Sequence, residues 1–411
     1  MLNILTIDLE DYYQVSAFES VVKREDWGKY ESRIERNTHR VLEILEEASG
    51  EHPSFVPPYA GLRRTSSAER RANEPTPNSS RIAHSAKRTA NAPTPCASDV
   101  LPQASSLSPE ISNLSPSTSH LAPYTPDVSS GVKATFFCLG WIAERYPHLI
   151  REIQNQGHEI ACHGYDHRLV YDMHPEQFRE DIRKSKQILE DIIGEEVLGY
   201  RAPSYSITKK SLWAVEVLAE EGYRYDSSIF PIHHDRYGIP DAPRFPFVVD
   251  LDNGGHPKFV PLSDDSRSAL CSMPYAQNAC DHGSTAALCP NTISQSEIRN
   301  RQSLLELPIS TLRLFGQNIP ISGGGYFRFF PYRIAKRALA RINHKERQPF
   351  MFYLHPWELD EKQPRIELLS LRSKFRHYTN LNQTESKLRR LLKHFAFSSV
   401  RDILNRNSGL T

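Results

Sequence analysis

The stretch that decides the fold is residues 132–162, VKATFFCLGWIAERYPHLIREIQNQGHEIAC. Its first eight and its last five residues are short apolar runs, which are typical of buried parallel strands. The residues between them, 141–156, have the spacing of a helix. A strand, a helix and a second strand in this order predict one unit of a parallel α/β fold.

The same alternation continues on both sides of this stretch. Residues 3–9 form another apolar run, and residues 37–48 have helical spacing with Asn37 or Thr38 as the N-cap. Further strands are predicted at 197–200, 223–226, 304–308 and 350–354, and further helices at 175–193, 211–221 and 385–394. We therefore expect a parallel α/β architecture built from repeated strand–helix units.

Two segments break this pattern. Residues 49–130 are dense in Ser, Pro, Thr, Ala and Asn, so they cannot bury enough apolar surface to offset the entropy of ordering. We interpret them as a disordered insertion that bulges out of the fold. Residues 252–301 lack the pattern as well and are interpreted as a second insertion. The folded domain is then discontinuous, at residues 1–48, 131–251 and 302–400.

Composition excludes several classes of partner. Lys and Arg number 50 against 49 Asp and Glu, so the basic excess that nucleic acid demands is absent. No apolar run approaches the roughly 20 residues that span a bilayer, so no integral membrane segment is expected. The first residues lack the pattern of a secretory signal, and the six Cys include no CxxC pair. These features predict a cytoplasmic protein with free thiols.

Three acids, Asp8, Glu10 and Asp11, lie at the end of the first strand. In a parallel sheet, ligands bind at the carboxyl ends of the strands. Acids gathered there repel one another unless a cation or a proton lies between them. Taken alone, the cluster could equally be a solvated loop.

Two histidines, His163 and His167, follow the strand at residues 158–162. Their H-x3-H spacing places both imidazoles on one face of a helical turn, where they can share one metal ion. The spacing is common by chance, but its position at a strand end matches that of the acids. Two imidazoles and one carboxylate predict one divalent ion, Zn²⁺ or similar, with positions open for water and substrate.

Three later motifs end strands in the same way: RAPSY at Arg201 to Tyr205, YDSS around Asp226, and YLHP around His355. A guanidinium beside a carboxylate lowers the pKa of that carboxyl group and orients it. The turn after Arg201 can offer a backbone N–H to an oxyanion, and Asp226 could hold Arg201 or a histidine. His355 is placed to act as a general acid. Each group alone could be structural, but together they predict a catalytic site.

These motifs resemble those of the NodB-type polysaccharide deacetylases, carbohydrate esterase family 4, where they occur in the same order. Other stretches are similar to the subgroup associated with exosortase-linked exopolysaccharide loci, namely DYYQVSAFE, GYRAPSYSI, DSSIFPI, SGGGYFR and FRHYTN. The resemblance implies the NodB homology domain, a distorted (β/α) barrel of fewer than eight repeats. It also implies a zinc-type site with a carboxylate base and a histidine acid. The Tyr205 backbone N–H would serve the oxyanion, and Arg201 would orient the base.

The chain departs from the family motif at its acids, because the family has two adjacent aspartates and this chain has three acids. Asp8 and Glu10 lie on one face of an extended strand, so we assign Asp8 as the base and Glu10 as the metal ligand. Asp11 is the alternative ligand. Cys162, which stands just before His163, is expected to pack rather than to tune the site.

The predicted substrate is an N-acetylated polysaccharide. Two alternatives stay open: a metal-free amidase that acts on a small ring amide, and a non-catalytic glycan-binding barrel. A non-catalytic barrel is expected to have lost the base or the acid. The presence of both Asp8 and His355 therefore counts against the glycan-binding alternative.

Overall fold

A computed structural model of the chain describes residues 1–50, 131–251, 257–262, 303–367 and 370–406. The strands are β1 (Leu2–Leu9), β2 (Thr135–Cys138), β3 (Glu159–Cys162), β4 (Gly199–Tyr200), β5 (Tyr225–Asp226), β6 (Phe247–Asp250), β7 (Lys258–Pro261), β8 (Ser303–Glu306), β9 (Thr311–Leu314), β10 (Gln317–Pro320), β11 (Met351–Leu354) and β12 (Ala396–Ser398). The helices are α1 (Ile34–Ala48), α2 (Gly140–Arg145), α3 (Pro147–Asn155), α4 (Pro175–Ile193), α5 (Trp213–Glu220), α6 (Gly324–Phe329), α7 (Tyr332–His344), α8 (Leu371–Tyr378), α9 (Leu381–His394) and α10 (Val400–Arg406).

The main sheet is mostly parallel, as the sequence predicted. Its parallel strands lie in the order β11-β1-β2-β3-β4-β5-β8. β6 and β7 continue the sheet from β8 in antiparallel fashion, and β12 pairs with the start of β1. Between β2 and β5 each strand is joined to its spatial neighbour by one or two helices, which is the connection that parallel strands require. The expected α/β class is confirmed.

The parallel strands curl into a distorted barrel. One buried cluster unites a residue from each wall strand or its flank: Ile4, Phe137, Ala161, Leu198, Tyr225, Leu305 and Met351. Leu305 and Met351 belong to the two ends of the parallel order, β8 and β11, so these ends face each other across one interior. The segment after β8 closes the gap, since Ser310 Oγ accepts a hydrogen bond from the Met351 N–H at 2.9 Å.

β1 shows how the barrel positions the acids. Leu5, Ile7 and Leu9 pack outward into the large cluster shared with the helices. Successive side chains in a strand point to opposite faces, so Thr6 and Asp8 face the interior with Ile4. Both faces of β1 are buried, which explains its nearly continuous apolar sequence.

Helix α1 begins at Ile34, three residues before the predicted start, and Asn37 and Thr38 lie inside it. The predicted N-cap was therefore wrong. The carboxylate of Asp11 accepts hydrogen bonds from the Arg33 N–H at 2.8 Å and from Ser32 Oγ at 2.9 Å, where the helix begins. An acid distant in sequence thus satisfies a backbone donor at the N-terminus of the helix, a role that local capping patterns do not reveal.

Two other elements differ from their predicted form. The single helix expected over residues 141–156 is divided into α2 and α3, because Pro147 disfavours helical backbone at Tyr146 and begins a new helix. β7 lies within residues 252–301, where a second insertion was expected, and pairs antiparallel with β6. The sheet therefore extends into that stretch.

Apart from β7, most of the two predicted insertions lies outside the described residues. Residues 51–130, 252–256 and 263–302 are not described. Within the described ranges, no helix is both long enough and apolar enough to cross a membrane.

Gly199 offers a test of the packing inside the barrel. A Cβ atom at this position would meet Tyr225 Cζ at 2.0 Å, and the Tyr225 hydroxyl donates to Glu159 Oε1 at 2.8 Å. We predict that Gly199→Ala lowers the free energy of unfolding by about 1–3 kcal/mol, because a buried ring must shift. Urea unfolding measures this change.

Gly28→Ala is the matched control, because Gly28 is exposed and a Cβ atom there would contact nothing within 4 Å. Its stability should stay within about 0.5 kcal/mol of the original. Equal stability of the Gly199→Ala chain and this control would contradict the close packing of β4 on Tyr225.

Candidate active site

A cavity of about 340 Å³ opens at the carboxyl ends of the barrel strands. Its lining includes side chains that end or follow β1, β3, β4 and β11: Asp8, Glu10, His163, His167, Tyr205 and His355. These residues are distant in sequence, and the parallel order of their strands brings them to one edge of the sheet. The structure therefore gathers most of the predicted site residues around one space.

Glu10, His163 and His167 form a group that could hold a metal ion. One ligand atom from each lies within 4.8 Å of the others, and all three residues are buried. The Nδ1 of His163 lies 2.7 Å from the Arg201 backbone oxygen, to which it donates a hydrogen bond. This bond fixes the ring and leaves Nε2 free as a ligand, an arrangement usual for histidines that bind metal.

The hydrogen bonding of Glu10 is incomplete in a way that suits a metal ligand. Its Oε1 accepts a hydrogen bond from Trp357 Nε1 at 3.2 Å. Its Oε2 lies 2.8 Å from His167 Nε2, yet it is buried without a well-aligned hydrogen bond from the described residues. A buried carboxylate oxygen that converges with two imidazole nitrogens fits a divalent cation of the zinc type.

The electrostatics of these groups also fit a cation. Burial would raise the pKa of Glu10, but the neighbouring His167 and His355 lower it to about 2. Burial lowers the pKa of His163 to about 4, although nearby acids oppose this shift. Glu10 is therefore a carboxylate and His163 a neutral imidazole near pH 7, which are the states that bind metal.

Asp8 makes a fully buried ion pair with Arg201. Its Oδ1 lies 2.5 Å from Arg201 Nη1, and the side chain of Arg201 has no solvent exposure. The guanidinium also donates to Thr6 Oγ1 at 2.8 Å and to Ser227 Oγ at 2.9 Å. These contacts hold Asp8 beside the group of possible ligands while directing one of its oxygens away from them.

His355 lies opposite, with its Nε2 3.5 Å from Glu10 Oε1 and 3.9 Å from Asp8 Oδ2. Its Nδ1 is 2.7 Å from Glu358 Oε1, and Arg328 Nε donates to Glu358 Oε2 at 2.6 Å. Burial would lower the pKa of His355, but Glu10 and Glu358 raise it to about 9. Glu358 thus fixes the imidazole so that Nε2 faces the cavity.

Sequence reasoning missed Glu358, Arg328 and Trp357. Trp357 stacks on His355 with ring centroids 5.2 Å apart, in addition to its hydrogen bond to Glu10. The sequence could have indicated Glu358, because it follows His355 by three residues. This spacing places two side chains on the same face of a helical turn. Arg328 lies in the SGGGYFR stretch, and no sequence pattern there predicts its ion pair with Glu358.

Asp11, the alternative ligand, faces away from the cavity. Its oxygens accept hydrogen bonds from Ser32, from the Arg33 N–H and from the Tyr12 N–H. Burial raises the pKa of Asp11 to about 6, although these hydrogen bonds oppose the shift. The carboxylate that meets the two histidines is that of Glu10.

Asp226 does not hold a histidine, and its hydrogen-bonded partner is Ser228, whose hydroxyl donates to Asp226 Oδ1 at 2.5 Å. Its neighbour in register on β8 is Glu306, which is also fully buried. Asp226 Oδ2 and Glu306 Oε2 otherwise lack hydrogen-bond partners within the described ranges. Burial and the proximity of Asp226 raise the pKa of Glu306 well above its usual range, so a proton on Glu306 can satisfy both oxygens.

The backbone N–H of Tyr205 already donates to the Ala202 carbonyl at 3.0 Å, within a tight turn where Tyr205 has φ 55°. The N–H expected to serve an oxyanion is therefore engaged in the turn. The Tyr205 ring lines the cavity and packs against Tyr353 with centroids 5.4 Å apart.

Comparison with known families matches two parts of the chain. Residues 129–225 match the family described as polysaccharide deacetylase. Residues 281–405 match a domain of unknown function, DUF3473. The first match contains His163, His167 and Arg201, and the second contains Arg328, His355 and Glu358. Both matched regions thus contribute to the cavity, together with Asp8 of β1, residues that follow β1, and the unmatched residues His234, Arg236 and Tyr237.

Individual relatives cover smaller portions. A peptidoglycan-N-acetylglucosamine deacetylase from Bacillus cereus is 37% identical over 86 residues, which are 21% of this chain and 31% of that protein. A peptidoglycan deacetylase-like protein from Gibberella zeae is 32% identical over 143 residues, 34% of this chain and 41% of that one. A solved family 4 carbohydrate esterase from Streptomyces lividans, in complex with acetate, is 26% identical with a TM-score of 0.21, covering 23% of this chain and 48% of that one. The chain thus spans less than half the length of each of these proteins.

The buried pair of Asp8 and Arg201 yields a stability prediction. Arg201→Met keeps the volume but leaves Asp8 without its cation, so it should lower the free energy of unfolding by about 3–5 kcal/mol. The double variant Asp8→Asn with Arg201→Met removes both charges. It should be more stable than Arg201→Met alone by at least about 1 kcal/mol, because directly paired residues couple.

Urea unfolding of the four chains in this cycle measures the coupling. Strictly additive losses would mean that the two side chains act independently, contrary to the contact between them.

Proposed function

We propose that this chain is a metal-dependent hydrolase that removes N-acetyl groups from amino-sugar residues of a polysaccharide. The observation that carries the proposal is the convergence of a possible metal group with two proton-transfer groups on one cavity. Glu10, His163 and His167 are the proposed ligands, Asp8 the base and His355 the acid. Sequence similarity over residues 129–225 to polysaccharide deacetylases supports the same reaction class.

The residues divide the work of amide hydrolysis between them. A divalent ion held by the three ligands would make water more acidic and polarise the acetyl carbonyl. Asp8 takes a proton from the attacking water, and Arg201 holds the carboxylate of Asp8 in place through their ion pair. The C–N bond then breaks as His355 gives a proton to the leaving nitrogen, so the products are acetate and a free amine. Tyr205 lines the cavity, and Asp226 lies in strand β5 of the barrel wall.

The polymeric substrate is proposed from the relatives, whose names describe deacetylases of peptidoglycan. The further assignments to exopolysaccharide biosynthesis and to Zn²⁺ rest on the sequence motifs and on the His and carboxylate ligands, respectively. A metal-free amidase is less favoured, because it leaves the buried Glu10 Oε2 without a well-aligned hydrogen bond from the described residues. A non-catalytic glycan-binding barrel is less favoured, because it has no need of Asp8 and His355 across the same cavity.

Three substitutions separate the ligands from the groups that move protons. His163→Ala should lose the bound metal as well as acetate release, because its imidazole is one of three proposed ligands. Asp8→Asn and His355→Ala should keep the metal but lose about 10²–10⁴-fold in rate, as is usual for a general base or acid. Elemental analysis of the purified proteins and acetate release from N-acetylated oligosaccharides measure the two properties.

His39→Ala serves as a histidine control, because His39 makes a partly buried contact with Glu152 and does not line the cavity. It should keep both metal and activity. Near-normal turnover by Asp8→Asn would contradict the assignment of Asp8 as the base. Full metal content in His163→Ala would contradict the proposed ligand set.

A further inference from the structure

The mouth of the cavity differs in charge from its floor. The floor contains the acids Asp8 and Glu10, whereas the lining nearer the surface contains His234, Arg236 and Arg376. Arg236 and Arg376 are exposed, and neither makes an ion pair within the described ranges of the chain. Two guanidinium groups with no ion-pair partner in the described part of the chain therefore stand beside the opening.

The charged groups around His234 are mostly positive. Burial lowers the pKa of His234, and the charges of Arg236, Arg372 and Arg376 lower it further, against the opposing effect of Asp235. Asp235 is shared with Arg372, whose Nη2 lies 3.4 Å from its carboxylate. Around His234, the one carboxylate of Asp235 is therefore accompanied by three guanidinium groups, so the local charge at this part of the mouth favours an anion.

Aromatic side chains adjoin the same arginines. Phe329 lines the cavity and is 42% exposed, and its ring packs against the 58% exposed Phe375 with centroids 5.2 Å apart. Phe375 precedes Arg376 in helix α8. Exposed aromatic faces beside polar groups suit the apolar faces of sugar rings, whereas the arginines suit a charged substituent on them.

We propose that the cavity mouth binds an anionic group of the glycan, carried on a sugar close to the one whose acetamido group enters the cavity. The favoured substrate is therefore an acidic N-acetylated polysaccharide. Arg236 and Arg376 are its specificity residues. This inference rests on the proposed function, because that function places the acetamido group at the floor. Carboxylate and phosphate are both recognised by guanidinium groups, so either can supply the anion.

Binding of defined oligosaccharides tests the proposal. The neutral probe is an N-acetylglucosamine oligomer, and the acidic probe alternates N-acetylglucosamine with glucuronate at the same length. Calorimetry in low salt uses the full chain carrying Asp8→Asn, so that neither probe is consumed. We expect the acidic probe to bind about fivefold to tenfold more tightly, which is the effect of two partly exposed charge contacts. A third probe, the neutral oligomer bearing phosphate groups, distinguishes phosphate from carboxylate as the preferred anion.

Arg236→Ala with Arg376→Ala should weaken binding of the acidic probe far more than that of the neutral one, bringing their affinities within about twofold. As a control, Arg337→Ala removes one guanidinium charge from the exposed face of helix α7. This variant should keep the preference for the acidic probe. Equal affinity for neutral and acidic probes in the parent chain would overturn the proposal. So would a preference that survives the double substitution.

Acetate release by the chain with Asp8 intact is measured separately on the same oligosaccharides. Its absence, together with an arginine-dependent preference for the acidic probe, would contradict the deacetylase function but support the anion site. If acetate is released with equal efficiency from the neutral and acidic probes, and both bind equally, the result would support the deacetylase function and contradict the anion site.

Discussion

The buried guanidinium of Arg201 is the constraint on which the rest of the site depends. A charge with no solvent exposure is costly unless it is paired and fully hydrogen bonded. Arg201 meets this requirement with partners from several parts of the barrel: Asp8 and Thr6 of β1, and Ser227 after β5. Its own backbone oxygen accepts the hydrogen bond of His163. One side chain and its carbonyl therefore orient both the proposed base and a proposed ligand.

The C-terminal region is joined to the same site by a second buried ion pair. Arg328 donates to Glu358 and to the backbone carbonyls of Arg376, His377 and Thr379. It thereby ties α8 to the residue that orients His355. His377 continues this connection by stacking on Trp357, with ring centroids 4.1 Å apart. The described part of residues 281–405, the region that matches DUF3473, thus contributes to the cavity, because β11 lies beside β1 in the barrel.

The sequence predicted those features that depend on local pattern. Apolar runs located the parallel strands, and the polar residues after them located the cavity, because strand ends converge in this fold. Features set by contacts distant in sequence were missed. Asp11 satisfies the start of α1 instead of joining the ligand group, and Glu306 lies beside Asp226 where Arg201 or a histidine was expected. The short strands β6 and β7 were not predicted, although Phe247-Val248-Val249 in β6 is an apolar run of the kind that favours a strand.

The proposed division of roles between Asp8 and Glu10 rests on which cation each one faces. Both lie on the cavity floor, and the Nε2 of His355 is within 4 Å of each. Asp8 has a permanent cation in Arg201, so it stays in place whether or not a metal is bound. Glu10 faces imidazoles, whose charge depends on protonation, and one of its oxygens lacks an aligned donor. A divalent ion would therefore compensate Glu10 more than Asp8. In the proposed mechanism, Asp8, the acid held by arginine, is therefore the one that accepts a proton from water.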